Sequence, residues 1–272
     1  MPKTAKKSGP VKKKSARAAK TARRRAAPSP TAKARLDLAA ALRWAARMGL
    51  NEGVCNHFSL AVPGEEDRYF VNPHALHWDE IRASDLIVVD GEGNLIEGDH
   101  EIEKTAFFIH SRLHRARPDA RCVLHTHMPY ATALTMIEDG RLEPCIQTAL
   151  RFHGVVAYDT DVGGYNGLAL DTDEGDRMAR ALGDKRVLFL ANHGVIVVGP
   201  DVATAFDDLY YLERAAQAQV LAMSTGCRLK LVGDNIARSV QQQIEVDLPL
   251  YARNHFEALK RLLDRDAPDW RG

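Results

Sequence analysis

His125 and His127 close the apolar segment Cys122–Thr126, and side chains two apart on a strand leave the same face. Both imidazoles can therefore reach one cation. Taken alone, such a pair is more often a hydrogen-bonded or surface pair than a metal site. His193 adds weight to the metal reading. It follows the apolar run Val187–Leu190 in a tight Asn192-His193-Gly194 turn, where Gly194 allows a sharp change of chain direction. Three protein nitrogens with a vacant position form the ligand set of a catalytic cation, whereas a structural zinc site fills all four positions. Imidazoles accept zinc, manganese, iron or cobalt, with zinc the first expectation. Three satisfied structural histidines is the alternative that these residues alone leave open.

Glu103 starts the helical segment Lys104–Arg115, where the helix dipole favours a carboxylate. Taken alone, such a residue is more often an ordinary helix-start residue; its functional reading is a proton carrier beside a metal-bound substrate.

The elements that must position these groups alternate in type. An Ala- and Leu-rich helix should end at Gly49. Short strands follow at Phe58–Val62, Tyr69–Val71, Leu86–Asp90 and Leu95–Ile96. After the Lys104–Arg115 helix come the Cys122–Thr126 strand, a helix at Tyr130–Ile137 and a strand at Gly154–Tyr158. A helix at Thr172–Leu182 leads to buried-type strands at Arg186–Leu190 and Val195–Val198. Two long helices, about Val202–Ser224 and Ala237–Leu263, close the chain. This pattern predicts one α/β domain with helices covering its sheet, without the regular spacing of repeated parallel crossover units.

The 272 residues carry a formal charge of +1 that conceals two different objects. Residues 1–30 hold eleven Lys and Arg and no acid, leaving 26 basic and 36 acidic residues, or −10, for the remainder. The basic segment is too poor in large apolar side chains to offset the entropy of ordering it, so residues 1–31 are expected to be a disordered tail. It could make weak nonspecific polyanion contacts, but no aromatic is interleaved to stack on bases. The domain is expected over 32–265, with 266–272 as a C-terminal tail. No run approaches the roughly 18–20 apolar residues of a membrane-spanning helix. Cys55, Cys122, Cys145 and Cys227 show no disulfide or CxxC spacing, and no secretory h-region follows the N-terminal charges. A cytoplasmic protein is the expectation.

The ordered segments Gly49–Ser59 (GLNEGVCNHFS), Val71–Val89 (VNPHALHWDEIRASDLIVV), Arg117–His127 (RPDARCVLHTH) and Leu190–Val195 (LANHGV) resemble the class II aldolase/adducin family. The resemblance spans about Ala39 to Thr225. It implies a three-layer α/β/α fold with a mainly antiparallel central sheet, and a homotetramer with active sites between subunits. It also implies metal ligation by His125, His127 and His193, with Glu103 as the catalytic carboxylate.

Three places depart from the sugar-phosphate members. Their Gly-Asn pair, Thr-Gly pair and two serines, which hold phosphate, read here Asn56-His57, His74-Ala75 and Glu101-Ile102. An added Glu101 carboxylate would oppose a dianion. The Asn-His pair and the segment Asn72-Pro73…Leu76-His77-Trp78 resemble the adducin-like branch, which includes decarboxylases of hydroxylated ring acids. His57 and His74 are candidate substrate contacts, with packing histidines as the equal alternative. The resemblance implies a metal-dependent lyase, by aldol cleavage or decarboxylation, acting on a small non-phosphorylated hydroxy-carbonyl or hydroxy-acid compound; epimerisation is a third outcome of the same chemistry. A non-catalytic adducin-like scaffold is the competing reading, and adducin heads lack a carboxylate at the place of Glu103.

Overall fold

The computed structural model describes residues 28–165, 167 and 172–272. The expected disorder of the basic tail falls almost wholly outside those residues. Its last four positions do not: among them, Ser29 caps α1 (Pro30–Arg47) by accepting from the Ala32 amide, and Pro30 occupies the first helical turn, where its missing N–H costs nothing.

Eight strands follow in one sheet: β1 (His57–Ala61), β2 (Arg68–Val71), β3 (Ile87–Asp90), β4 (Leu95–Glu97), β5 (Cys122–Thr126), β6 (Val156–Tyr158), β7 (Val187–Leu190) and β8 (Gly194–Gly199). Their order is β4-β3-β2-β1-β5-β8-β7-β6. Every neighbouring pair is antiparallel except β6–β7. This is the mainly antiparallel sheet the resemblance implied.

Strand alternation sorts side chains into two layers. Cys122 and Leu124 of β5, Val187 and Phe189 of β7, and Val195 and Val197 of β8 face one core. There they meet the alanine-rich side of α1, the long helix α6 (Val202–Met223) with Phe206 and Leu209, and Phe256 and Leu259 of α7 (Asp234–Asp266). Val123, Leu188, Leu190, Ile196 and Val198 face the other way, against Ile109 and Leu113 of α2 (Lys104–Ala116) and Met178 and Leu182 of α5 (Thr172–Leu182). Small residues on α1 let that helix approach closely, while the aliphatic residues of α2 and α5 cover the opposite face.

Two short helices complete the list. One, α3 (Pro129–Thr135), matches the segment expected at Tyr130–Ile137, and the other, α4 (Gln147–Leu150), is a single turn that helical periodicity does not reveal. The last residues, set apart in sequence as a tail from 266, fold back as a turn of 3₁₀ helix. Trp270 is fully buried there and its indole N–H donates to Asp264 at 3.0 Å.

Candidate metal centre

One end of the sheet gathers the chemistry. The C-terminal end of β5, the N-terminal ends of β1 and β8 and the C-terminal end of β7 lie side by side, because these neighbours run antiparallel. His57 is the direct cross-strand partner of His125. His125 shares the parity of Val123, and His57 and Ser59 lie opposite Phe58 and Leu60, so all three polar residues face α2.

One ligand nitrogen from each of His125, His127 and His193 lies within 4.8 Å of the others. The rings meet edge to face, with centroids 4.7–5.1 Å apart. Two of the three are fixed in one tautomer. His125 Nδ1 donates to the Val195 carbonyl at 3.0 Å, and His127 Nδ1 is bonded to the Glu52 carboxylate. With Nδ1 engaged in this way, Nε2 is the nitrogen either ring would offer to a metal. His127 Nε2 is buried and has no hydrogen-bond partner, which suits an atom meant for a cation. Burial first, then the neighbouring imidazoles, holds the His125 pKa well below its ordinary value, and burial lowers that of His193 to about 4. Neutral rings are the ligand form.

The turn that carries His193 differs in detail from its sequence reading. The left-handed residue is Asn192, at φ 54°, and not Gly194. Gly194 is required for space: a Cβ there would lie 2.5 Å from the Thr126 carbonyl oxygen and 2.7 Å from the His127 ring. Only glycine lets β8 approach the histidine-bearing end of β5 this closely.

A cavity of about 830 Å³ opens over the three histidines, and His57, His74 and Glu103 share its wall. Glu103 Oε2 is 3.8 Å from His57 Nε2. Burial takes the His57 pKa down to about 4 despite the opposing pull of Glu103. The loop bearing His74 is tied to the segment before α2 by its N–H donating to the Glu101 carbonyl at 3.0 Å. Glu101 itself is not among the lining residues, and Ile102 packs against the small cluster of Tyr69, Val71, Ile87 and Val89. Repulsion of a dianion inside the cavity therefore cannot be assigned to Glu101. Glu52 and Glu103 are the carboxylates on its wall.

The family model for the class II aldolase and adducin N-terminal domain matches residues 36–220. The chain belongs to the class II aldolase/adducin family. An aldolase II superfamily protein from Pseudomonas syringae is similar across 91% of this chain and 98% of its own, at 35% identity and a TM-score of 0.84. An L-fuculose 1-phosphate aldolase from Glaciozyma antarctica is 26% identical with a TM-score of 0.78, covering 89% of this chain and 93% of its own. The decarboxylase NovR of Streptomyces niveus is 35% identical over 70% of this chain and 69% of its own length. Sugar-phosphate aldolase and decarboxylase thus both stand among the relatives of this class II aldolase/adducin protein.

Two groups at the site escape sequence reading. Glu52 lies inside the Gly49–Ser59 motif, but only the fold carries it to a ring 75 residues away. His110 and His114 sit four apart, the spacing of one helix face, and that signal was available in the sequence.

Proposed function

We propose that this protein is a metal-dependent carbon–carbon lyase acting on a small non-phosphorylated hydroxy-carbonyl or hydroxy-acid compound. One observation carries the proposal: three convergent imidazoles, two with Nε2 laid bare by bonds at Nδ1, beside a carboxylate in one cavity. His125, His127 and His193 would hold a divalent cation, zinc first and manganese, iron or cobalt as alternatives. When bound, it supplies Lewis acidity for the negative charge left on a substrate oxygen as the bond breaks. Glu103 moves the proton. In aldol cleavage it takes the proton of the hydroxyl whose carbon becomes a carbonyl, and the carbon left behind is protonated in turn. In decarboxylation carbon dioxide departs and only the protonation step is needed. His57 and His74 contact the substrate, and the neutral state of His57 lets its ring donate a hydrogen bond to an anionic oxygen without adding charge. A cytoplasmic homotetramer belongs to the same reading.

The places that hold phosphate in the sugar-phosphate members carry imidazoles and an aliphatic side chain here. Phosphate recognition needs several convergent N–H and O–H donors, often with glycine bringing the backbone close. The metal-loaded protein should therefore turn over hydroxylated aliphatic or aromatic acids, and L-fuculose 1-phosphate only poorly. Glu103→Gln should keep the metal and lose at least about a hundredfold in turnover, the usual worth of a positioned acid–base. Full activity in that variant would return Glu103 to a helix-start residue and favour the scaffold reading.

A further inference from the structure

Beneath the cavity wall a chain of four groups settles the protonation pattern of one more ring. His114 Nδ1 lies 2.9 Å from the Ala120 carbonyl, which can only accept, so this nitrogen carries the proton. Burial keeps His114 neutral, with its pKa at about 4, and its Nε2 is therefore bare. Ser59 Oγ is 2.7 Å from that nitrogen and must donate to it. Having one proton to give, Ser59 accepts at its other contact, 2.7 Å from His110 Nδ1. His110 is thus protonated at Nδ1 and, since burial holds its pKa well below the ordinary value and keeps the ring neutral, bare at Nε2. That atom is buried without a hydrogen-bond partner, on a ring that is 3% exposed and lines the cavity.

A buried acceptor without a donor costs about 1–3 kcal/mol, so its persistence asks for a function. We propose that His110 is a specificity-determining residue whose Nε2 accepts a hydrogen bond from a substrate hydroxyl, held in that tautomer by the chain through Ser59 and His114 to Ala120. Its ring stands edge-on to that of His57, 6.3 Å between centroids, and both rings line the cavity that Glu103 also lines. The preferred compound carries a hydroxyl in addition to the groups that meet the cation. This rests on the lyase reading for the location of the substrate, but the tautomer follows from the hydrogen bonds and the neutrality of the buried rings, independently of that reading.

The test uses the full-length zinc-loaded protein and matched acids that differ by one hydroxyl: lactate against glycerate, phenyllactate against 4-hydroxyphenyllactate, benzoate against 4-hydroxybenzoate. Calorimetric titration should find at least one pair in which the hydroxylated member binds about 3- to 10-fold tighter, the worth of one buried hydrogen bond. His110→Phe should reduce that ratio to near 1 while leaving affinity for the other member unchanged. Ser59→Ala keeps the imidazole but frees its tautomer, and should lower the ratio too, which mere packing by His110 would not explain. Zinc content and melting temperature report whether each variant is folded. No preference in any pair, or a preference that survives both substitutions, would overturn the proposal. If no acid binds in a zinc-dependent manner, the lyase reading fails, and this assignment fails with it.

Discussion

If the three histidines hold a cation as proposed, removing Glu52 measures how much that binding owes to a residue that would never touch the metal. Glu52 holds the Nδ1 proton of His127, fixing both the ring's orientation and its bare Nε2. Outer partners of this kind are worth 10- to 100-fold in metal affinity. The Glu52 side chain is 63% exposed, so solvent screens most of the charge and the loss should sit at the low end. We expect Glu52→Ala to weaken zinc binding about tenfold, equivalent to about 1.4 kcal/mol. Glu52→Gln, whose amide oxygen can still accept the bond, should lose only about 2- to 3-fold, since the tautomer is kept and only the charge goes. His127→Ala, which removes a ligand outright, should lose more than about a hundredfold, and its fold should largely survive because an open site is not the main source of stability. Competition against a fluorescent zinc chelator at neutral pH ranks all four proteins in one experiment. If Glu52→Ala binds zinc within twofold of wild type, the carboxylate is only a surface ion-pair partner. If it is as poor as His127→Ala, Glu52 is ligating directly, and the geometry given above is wrong.

Two further outcomes are specific. Asp208 is fully buried and paired with Arg151 at 2.7 Å, so Asp208→Ala should destabilise the protein by about 3–5 kcal/mol and lower its melting temperature by roughly 10 °C; a shift below about 2 °C would show the pair to be dispensable. His114 has its folded pKa lowered from 6.5 to about 4 by burial, against the Tyr69 ring and the Ser59 hydroxyl. Between those values the unfolded chain binds the extra proton, so stability is complete above pH 6.5 and is lost as the pH falls toward 4. Chemical denaturation of the metal-free protein across that window should show a steep dependence, and His114→Gln should flatten it by up to one proton; an unchanged slope would mean that His114 does not titrate with unfolding.

The sequence makes the frame legible where side-chain period and length agree. Cys122–Thr126 and Thr172–Leu182 were readable because each carries a pattern that only one element type can bury, and the structure gives both the same bounds. The clustering of His125, His127 and His193 was readable because two share a strand parity and the third follows a buried run. What sequence could not convey is the company they keep. Glu52 and Ser59 act through contacts 75 and 51 residues away, and only pairing of β1 with β5 and packing of α2 on that face creates those contacts. Glu101 shows the converse error: its place among the positions that hold phosphate in the sugar-phosphate members suggested a charge in the cavity, whereas its side chain is exposed and outside the lining. Trp270 was lost for a similar reason, since a single aromatic in a polar terminus carries no period, yet it fills space beside α1 and α7.

Of the three clustered histidines, His125 sits on the central strand β5, His127 follows directly after it and His193 lies in the turn between β7 and β8, while His74, Glu52 and Glu103 come from loops and a helix start around the same opening. Strands interior to an eight-stranded sheet cannot shift without breaking ladders on both sides; the loops can be lengthened, shortened or exchanged at far smaller cost. Inheritance can therefore act on the two parts at different speeds. A lineage could exchange substrates by rewriting a few loop positions while the strands that position the three histidines stay as they are. For an engineer the same division recommends the loop at Asn72–Leu76 as the place to diversify, and β5 and β8 as the parts to leave untouched.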